Sequence, residues 1–264
     1  MKKDDLMVCR PKRLPKSLLV EAARTAIRIN PVNHPRIDQL AGLMRGFRAS
    51  PQRIAVMTTS YWGSAGVKLT VAFLDNPPAA LRKRILLHMN AWDKDANIRF
   101  VPGKTDPQVR ISRVGEKDGG YWSYVGTGVL HIPKGEATMN LEGFTMQTPD
   151  SEFYRVVRHE TGHTLGFPHE HMRRALVNRI DRKKAIAYFK RMDGWTARET
   201  VEQVLTPIED AAILGTLVDP KSIMCYQIPG EVTKDGKPIV GGLDIDESDY
   251  RFAGQIYPKK RTKK

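Results

Sequence analysis

The chain has 264 residues, 41% of them hydrophobic, enough for one ordinary globular domain that a cleft could divide into two lobes. It has no eighteen-residue apolar window, which excludes a transmembrane helix, and its start, Met1 to Cys9, lacks an apolar stretch long enough for a signal peptide. The net charge of +14 sits mostly at the ends: residues 1–16 carry six Lys/Arg against two Asp, and residues 259–264 carry five. No aromatic platform accompanies those charges, so nucleic acid is not an expected partner, and the tail from Lys259 is a candidate contact for a polyanion. Two cysteines, Cys9 and Cys225, make no disulfide framework and favour a reducing compartment. The expected location is the cytoplasm or, by a leaderless route, outside the cell; a chain supplied without its leader fits equally.

Residues 1–50 are basic and proline-punctuated and read as an N-terminal extension, a candidate pro-segment, with helices expected over 17–29 and 37–47. Residues 51–258 form the expected main domain, and 259–264 a basic tail. Val67 to Leu74 alternate as a strand does, and Pro77-Pro78 starts a helix to about Ala96 with Leu81, Ile85, Met89 and Trp92 on one face. Short strands are expected near 98–101, 109–114 and 129–132, and 137–141 reads as a strand lining the cleft. A helix capped by Asp150 or Ser151 runs to about Leu165, followed by helices near 182–192, 197–205 and 247–256, with mostly loop between Leu205 and Pro229.

The helix ending near Leu165 carries the chemistry. Residues 159–169 follow the pattern HExxHxxGxxH. On a helix, positions i and i+4 share a face, so His159 and His163 can direct nitrogens at one ion, with Glu160 beside it. Gly166 can take the left-handed conformation that ends a helix and let the chain return His169 to a third ligand position. The fourth position stays open, the mark of a catalytic zinc site, and one Zn²⁺ is the expected cofactor. Chance HExxH matches on a solvated helix face do occur, but the longer pattern fixes five positions.

Downstream, Ser222-Ile223-Met224-Cys225-Tyr226 resembles the Met-turn of the metzincin clan. The chain is most similar to the astacin family, whose motif continues through residues matched here by Gly166, Phe167, His169, Glu170 and Arg173; Trp122 to Gly126 and Asn140-Leu141 resemble further family segments. The resemblance covers roughly residues 66–257. It implies an α+β fold with two lobes: a mixed sheet and the active-site helix above a cleft, and a mostly helical and irregular lower lobe. Cys225 stands where the family usually has His, and Tyr121 where a Cys precedes the Trp122 segment, so the usual disulfides are not expected.

The implied activity is a zinc endopeptidase acting on proteins or peptides through a zinc-activated water, with Glu160 as general base. The resemblance gives Tyr226 the role of a tyrosine that ligates zinc at rest and swings away to stabilise the oxyanion, and Met224 that of an apolar floor. Two alternatives stand beside this: a zinc amidohydrolase acting on cell-wall peptides, and a zinc-holding binding module without turnover. Cys9 has two readings, a thiolate from the extension that fills the open zinc position and a free thiol in a loose terminus, the second being favoured. His34, His88 and His131 read as structural or solvated, His171 follows the third ligand too closely to share the ion, and Glu136 and Asn140 read as neighbours of the cleft strand.

Overall fold

The structure is a computed structural model and describes residues 9, 12–35, 51, 55, 58–115, 119–207 and 218–259. The helix expected over 37–47 lies outside the described residues. The helix at 17–29 forms as α1 (Leu19–Ile29), entered through a 3-10 turn Lys16–Leu18. Just after it, the Asn33 amide donates to the Tyr61 carbonyl at 2.7 Å and accepts the Tyr61 N–H at 2.8 Å, fastening the segment after α1 to the chain around residue 61.

Strands β1 (Val67–Phe73), β2 (Ile98–Pro102), β3 (Val109–Ser112), β4 (Tyr121–Ser123) and β5 (Met139–Leu141) form one sheet in the order β2-β1-β3-β5-β4. The pairs β1 with β2, β1 with β3 and β3 with β5 are parallel, and β4 runs antiparallel to β5, placing Trp122 opposite Asn140. Parallel neighbours need a crossover, and α2 (Ala79–Met89) supplies it between β1 and β2. Leu81, Ile85, Met89 and Trp92 are buried, as their spacing predicts. The α-helix stops at Met89 and continues as a 3-10 turn, Asn90–Lys94. There the Asn90 amide donates to the Phe100 carbonyl at 3.0 Å and accepts the Phe100 N–H at 2.9 Å, clamping the turn to β2.

Two expectations fail. Residues 129–132 are not a strand: Gly126–His131 form a 3-10 turn. Gly126 has φ of 51°, and a Cβ there would run into the Ser60 carbonyl, so the chain turns against residue 60 instead of extending. Residues 137–141 do supply β5, but β5 lies between β3 and β4, so the edge of the sheet belongs to β4. Asn140 is wholly buried, its amide donating to the carbonyls of Val114 (2.9 Å) and Gly120 (2.7 Å), and Glu136 is exposed. Neither lies on the edge strand β4.

The active-site helix begins at Asp150, with Pro149 at the cap, as an α-helical turn Asp150–Glu152, a π-helical turn Phe153–Val157, and α3 (Arg158–Thr164). Below it lie α4 (Arg182–Asp193), whose first N–H groups donate to the Asp181 carboxylate, and a helical turn Ala197–Thr200 that passes into a π-helical turn Val201–Leu205. The last helix, α5 (Glu247–Ile256), starts with a capping box from Asp246 and Asp249.

These elements bury two hydrophobic cores. One joins the sheet, α2, the active-site helix and α5, with Met224 among its members. The other gathers Leu176, Ile180, Phe189, Trp195, Val204 and Ile228 with Cys9, Cys225 and Tyr226. The fold is α+β with two lobes, as expected, and the chain crosses from one core to the other between Met224 and Cys225.

Candidate metal centre

The end of α3 sets the geometry of the site. The N–H of Gly166 donates to the His163 carbonyl at 2.8 Å and that of Phe167 to the Gly162 carbonyl at 3.0 Å, the pair of bonds that defines a Schellman stop. Gly166 makes this possible with φ of 97°. The reversal sends residue 169 back beside the helix. Trp62 Nε1–H donates to the Thr164 carbonyl at 2.9 Å and Trp92 Nε1–H to the Arg158 carbonyl at 2.9 Å, so both ends of α3 are held by indoles.

His159 Nδ1 lies 2.6 Å from the Ile223 carbonyl and His163 Nδ1 lies 2.8 Å from the Phe167 carbonyl. A carbonyl accepts only, so each Nδ1 carries the proton and each Nε2 presents a lone pair. His169 Nε2 is 3.2 Å from His159 Nε2 and 2.9 Å from His163 Nε2. Three imidazole nitrogens thus converge on one point, where the lone pairs of His159 and His163 cannot satisfy each other. A tetrahedral zinc with bonds of about 2.0–2.1 Å would hold such nitrogens about 3.3 Å apart, so the donor set fits that ion in chemistry and spacing.

Cys9 completes the constellation. Its sulfur and the ligand nitrogens of His159, His163 and His169 all lie within 4.8 Å of one another, and all four residues are buried. Cys9 is a free thiol, as expected, but residue 9 is not loose: Cys9 pairs with Tyr121 and Lys12 with Tyr124 in parallel bridges, and the Lys12 N–H donates to the Ser123 carbonyl at 3.1 Å. The extension takes the edge of the sheet as an added strand would, and this carries the thiol to the histidines. It faces Glu160 and Tyr226; burial first, then the Glu160 carboxylate, push its pKa up, and the Tyr226 hydroxyl opposes them.

Burial pushes Glu160 up to about 8 and His163 down to about 4. His159 and His169 fall well below the usual imidazole range through burial and then through the neighbouring His163. Neutral imidazoles are the state that ligates a metal, and a cation among them would favour the charged form of Glu160.

Tyr226 packs over the cluster, its ring centroid 4.3 Å from that of His169. Met224 lies beneath α3: a Cβ on Gly162 would overlap its sulfur. The Glu170 N–H donates to the Met224 carbonyl at 2.8 Å, binding the segment after His169 to the turn that carries Met224. Glu170 itself turns aside, accepting the Asp219 N–H at 3.1 Å and pairing with Arg173 at 3.5 Å. Cys225 is buried and free, as expected. His88 is buried against Phe153 and Tyr154 on the far side of the helix. A support that sequence reasoning missed is Asp249, which accepts the Ser222 hydroxyl at 2.6 Å and the Ile223 N–H at 2.9 Å. Its only sequence signal is the capping box, which does not reveal that the same carboxylate reaches the Met224 turn.

This fold and this site define a zinc metalloendopeptidase. The family model described as Astacin, a peptidase family, matches residues 56–238, and the chain belongs to that family. Among solved structures it is similar to one of myroilysin, at 28% identity over 76% of this chain and 97% of that one, with a TM-score of 0.70. A second myroilysin structure matches 98% of this chain and 94% of its own at 23% identity and a TM-score of 0.61. High choriolytic enzyme 1, a hatching-enzyme zinc protease of the medaka fish Oryzias latipes, matches at 20% identity over 80% of this chain and 98% of that one, TM-score 0.51. Among curated proteins none matches the chain. The family favours a peptidase over the cell-wall amidohydrolase and the zinc-holding module. Among the described residues no helix is long and apolar enough to cross a membrane.

Proposed function

We propose that His159, His163 and His169 hold one zinc ion through Nε2, that Glu160 is the general base of peptide hydrolysis, that Tyr226 assists it, and that Cys9 keeps the chain latent. The observation that carries this reading is the convergence of three imidazole nitrogens with a thiol, a carboxylate and a phenol arranged around them. Zinc there supplies Lewis-acid polarisation of the scissile carbonyl and lowers the pKa of bound water.

The protein's own groups do the rest. Glu160 takes the proton of the attacking water and returns it to the departing amine, and its buried carboxylate is spared competition from bulk solvent. The Tyr226 hydroxyl donates to the oxygen on which negative charge develops. Met224, against Gly162, keeps the floor of the site apolar and the histidine helix in place. An extended substrate adds to the edge of β4 through backbone hydrogen bonds, and Cys9 and Lys12 occupy that edge in this structure. Cys9 blocks twice: its thiolate takes the position a substrate or water needs, and its strand takes the substrate's edge.

The test digests an unfolded protein with the wild-type chain, Glu160→Gln and Cys9→Ser, each with and without chelator, and follows alkylation of Cys9 in parallel. Internal cuts that disappear in Glu160→Gln and with chelator support the peptidase mechanism. Higher activity of Cys9→Ser, with Cys9 alkylated only once zinc is removed, supports latency. Equal activity and an alkylation rate indifferent to zinc would discard it.

A further inference from the structure

His171 follows the third histidine by two residues, yet its ring turns away from the converging nitrogens. It is fully buried and lies flat on Tyr226, with centroids 4.2 Å apart and planes 10° apart. Its Nε2 is 3.0 Å from the Gln203 carbonyl, so Nε2 carries the proton and donates to the π-helical turn Val201–Leu205. The phenol of Tyr226 therefore meets two imidazoles: His171 stacks on it at 4.2 Å, and His169 lies 4.3 Å away at 49°, the two histidine rings being 4.9 Å from each other.

A hydroxyl that must meet a developing oxyanion has to be aimed to within a fraction of an ångström, and a tyrosine on a turn has two free torsions with which to miss. A flat ring stacked against the phenol narrows that freedom to motion within the plane of the stack, and it does so only if it is itself held. The bond to Gln203 holds it. We propose that His171 is a positioning residue for catalysis: it fixes the ring plane of Tyr226 and so aims the Tyr226 hydroxyl at the open side of the histidine cluster. The inference rests on the role given to Tyr226 above. A histidine that only filled the lower core would touch stability and nothing else.

The experiment compares His171→Leu, His171→Phe, Tyr226→Phe and the double variant His171→Leu/Tyr226→Phe, all in one Cys9→Ser background, so that the thiol is absent and the strand on the edge of β4 is the same in every comparison. It records kcat, KM, zinc content and melting temperature. The expected result is a kcat for His171→Leu lower by roughly tenfold with KM within about twofold, full zinc content, and partial recovery in His171→Phe, which keeps a flat ring. In the Tyr226→Phe background, His171→Leu should cost no further kcat beyond about twofold, because the group it aims is gone. Losses that multiply in the double variant while Tyr226→Phe is itself impaired would overturn the positioning role and leave the Tyr226 role standing. An unimpaired Tyr226→Phe would overturn both. A fall in melting temperature with kcat unchanged in His171→Leu would reduce His171 to core packing.

Discussion

Asp249 reaches His159 through the backbone of one residue, Ile223. Its carboxylate accepts the Ile223 N–H at 2.9 Å, and the carbonyl of Ile223 takes the Nδ1–H of His159 at 2.6 Å. The last helix thereby fixes the tautomer and tilt of the first histidine. Burial raises the Asp249 pKa from 3.8 to about 7 against the hydrogen bonds that favour its charge. Between those values the unfolded chain gives up this proton and the folded chain keeps it, so this group makes stability fall as pH rises from about 4 to about 7. Asp249→Asn removes that dependence. Urea midpoints at the two ends of the window should show the variant gaining on the wild type by up to roughly 4 kcal/mol towards pH 7. An equal gap at both ends would mean that Asp249 ionises normally.

Glu160→Gln keeps the shape of the side chain and removes its basicity. Turnover should fall at least about 10²-fold with zinc retained, because general base catalysis contributes about 10² to 10⁴. Full activity in a zinc-loaded variant would end the assignment.

Tyr226→Phe keeps the ring that stacks on His171 and deletes the hydroxyl. Its kcat should drop roughly 10- to 100-fold, more than KM rises, as expected for a donor that acts in the transition state. Steady-state kinetics on one peptide decides this.

Gly166→Ala tests the stop of α3. With φ of 97° and a Cβ that would sit 3.0 Å from the Ser60 carbonyl oxygen, alanine is strained there. A loss of about 1–3 kcal/mol is expected, together with weaker zinc retention, since His169 depends on the reversal. Chemical denaturation and metal content measured on the same sample would show whether the two effects travel together.

Zinc should also stabilise the fold. An ion bound by the folded chain alone raises stability with its free concentration, so the melting temperature should climb through a zinc titration and drop with chelator. In Cys9→Ser the climb should be smaller, since one ligand is gone; identical titrations would argue that the Cys9 sulfur does not touch the ion.

What the sequence discloses and what it withholds follow from range. The HExxH spacing is local, one turn of helix, and Gly166 marks its own stop, so the three histidines and α3 are legible. So are α1, α2 and α4, where apolar spacing or capping residues act within a few positions. β4 is not legible as a strand, because three residues carry no usable alternation, and 129–132 misleads because its turn answers to Ser60, some seventy positions away. Cys9 can be suspected from its chemistry, but only pairing along β4 shows that its strand ends at the histidines. His171 reads as an ordinary histidine until Tyr226, fifty-five positions later, is laid against it.

β4 has one sheet neighbour, β5, and its other side is taken by residues 9 and 12. An uncovered strand edge is a template for any extended chain, including another copy of the same protein. On the reading proposed above, the residues that cover β4 also shield it from other copies of this chain, and a chain without them would present the edge to substrate and sister molecule alike.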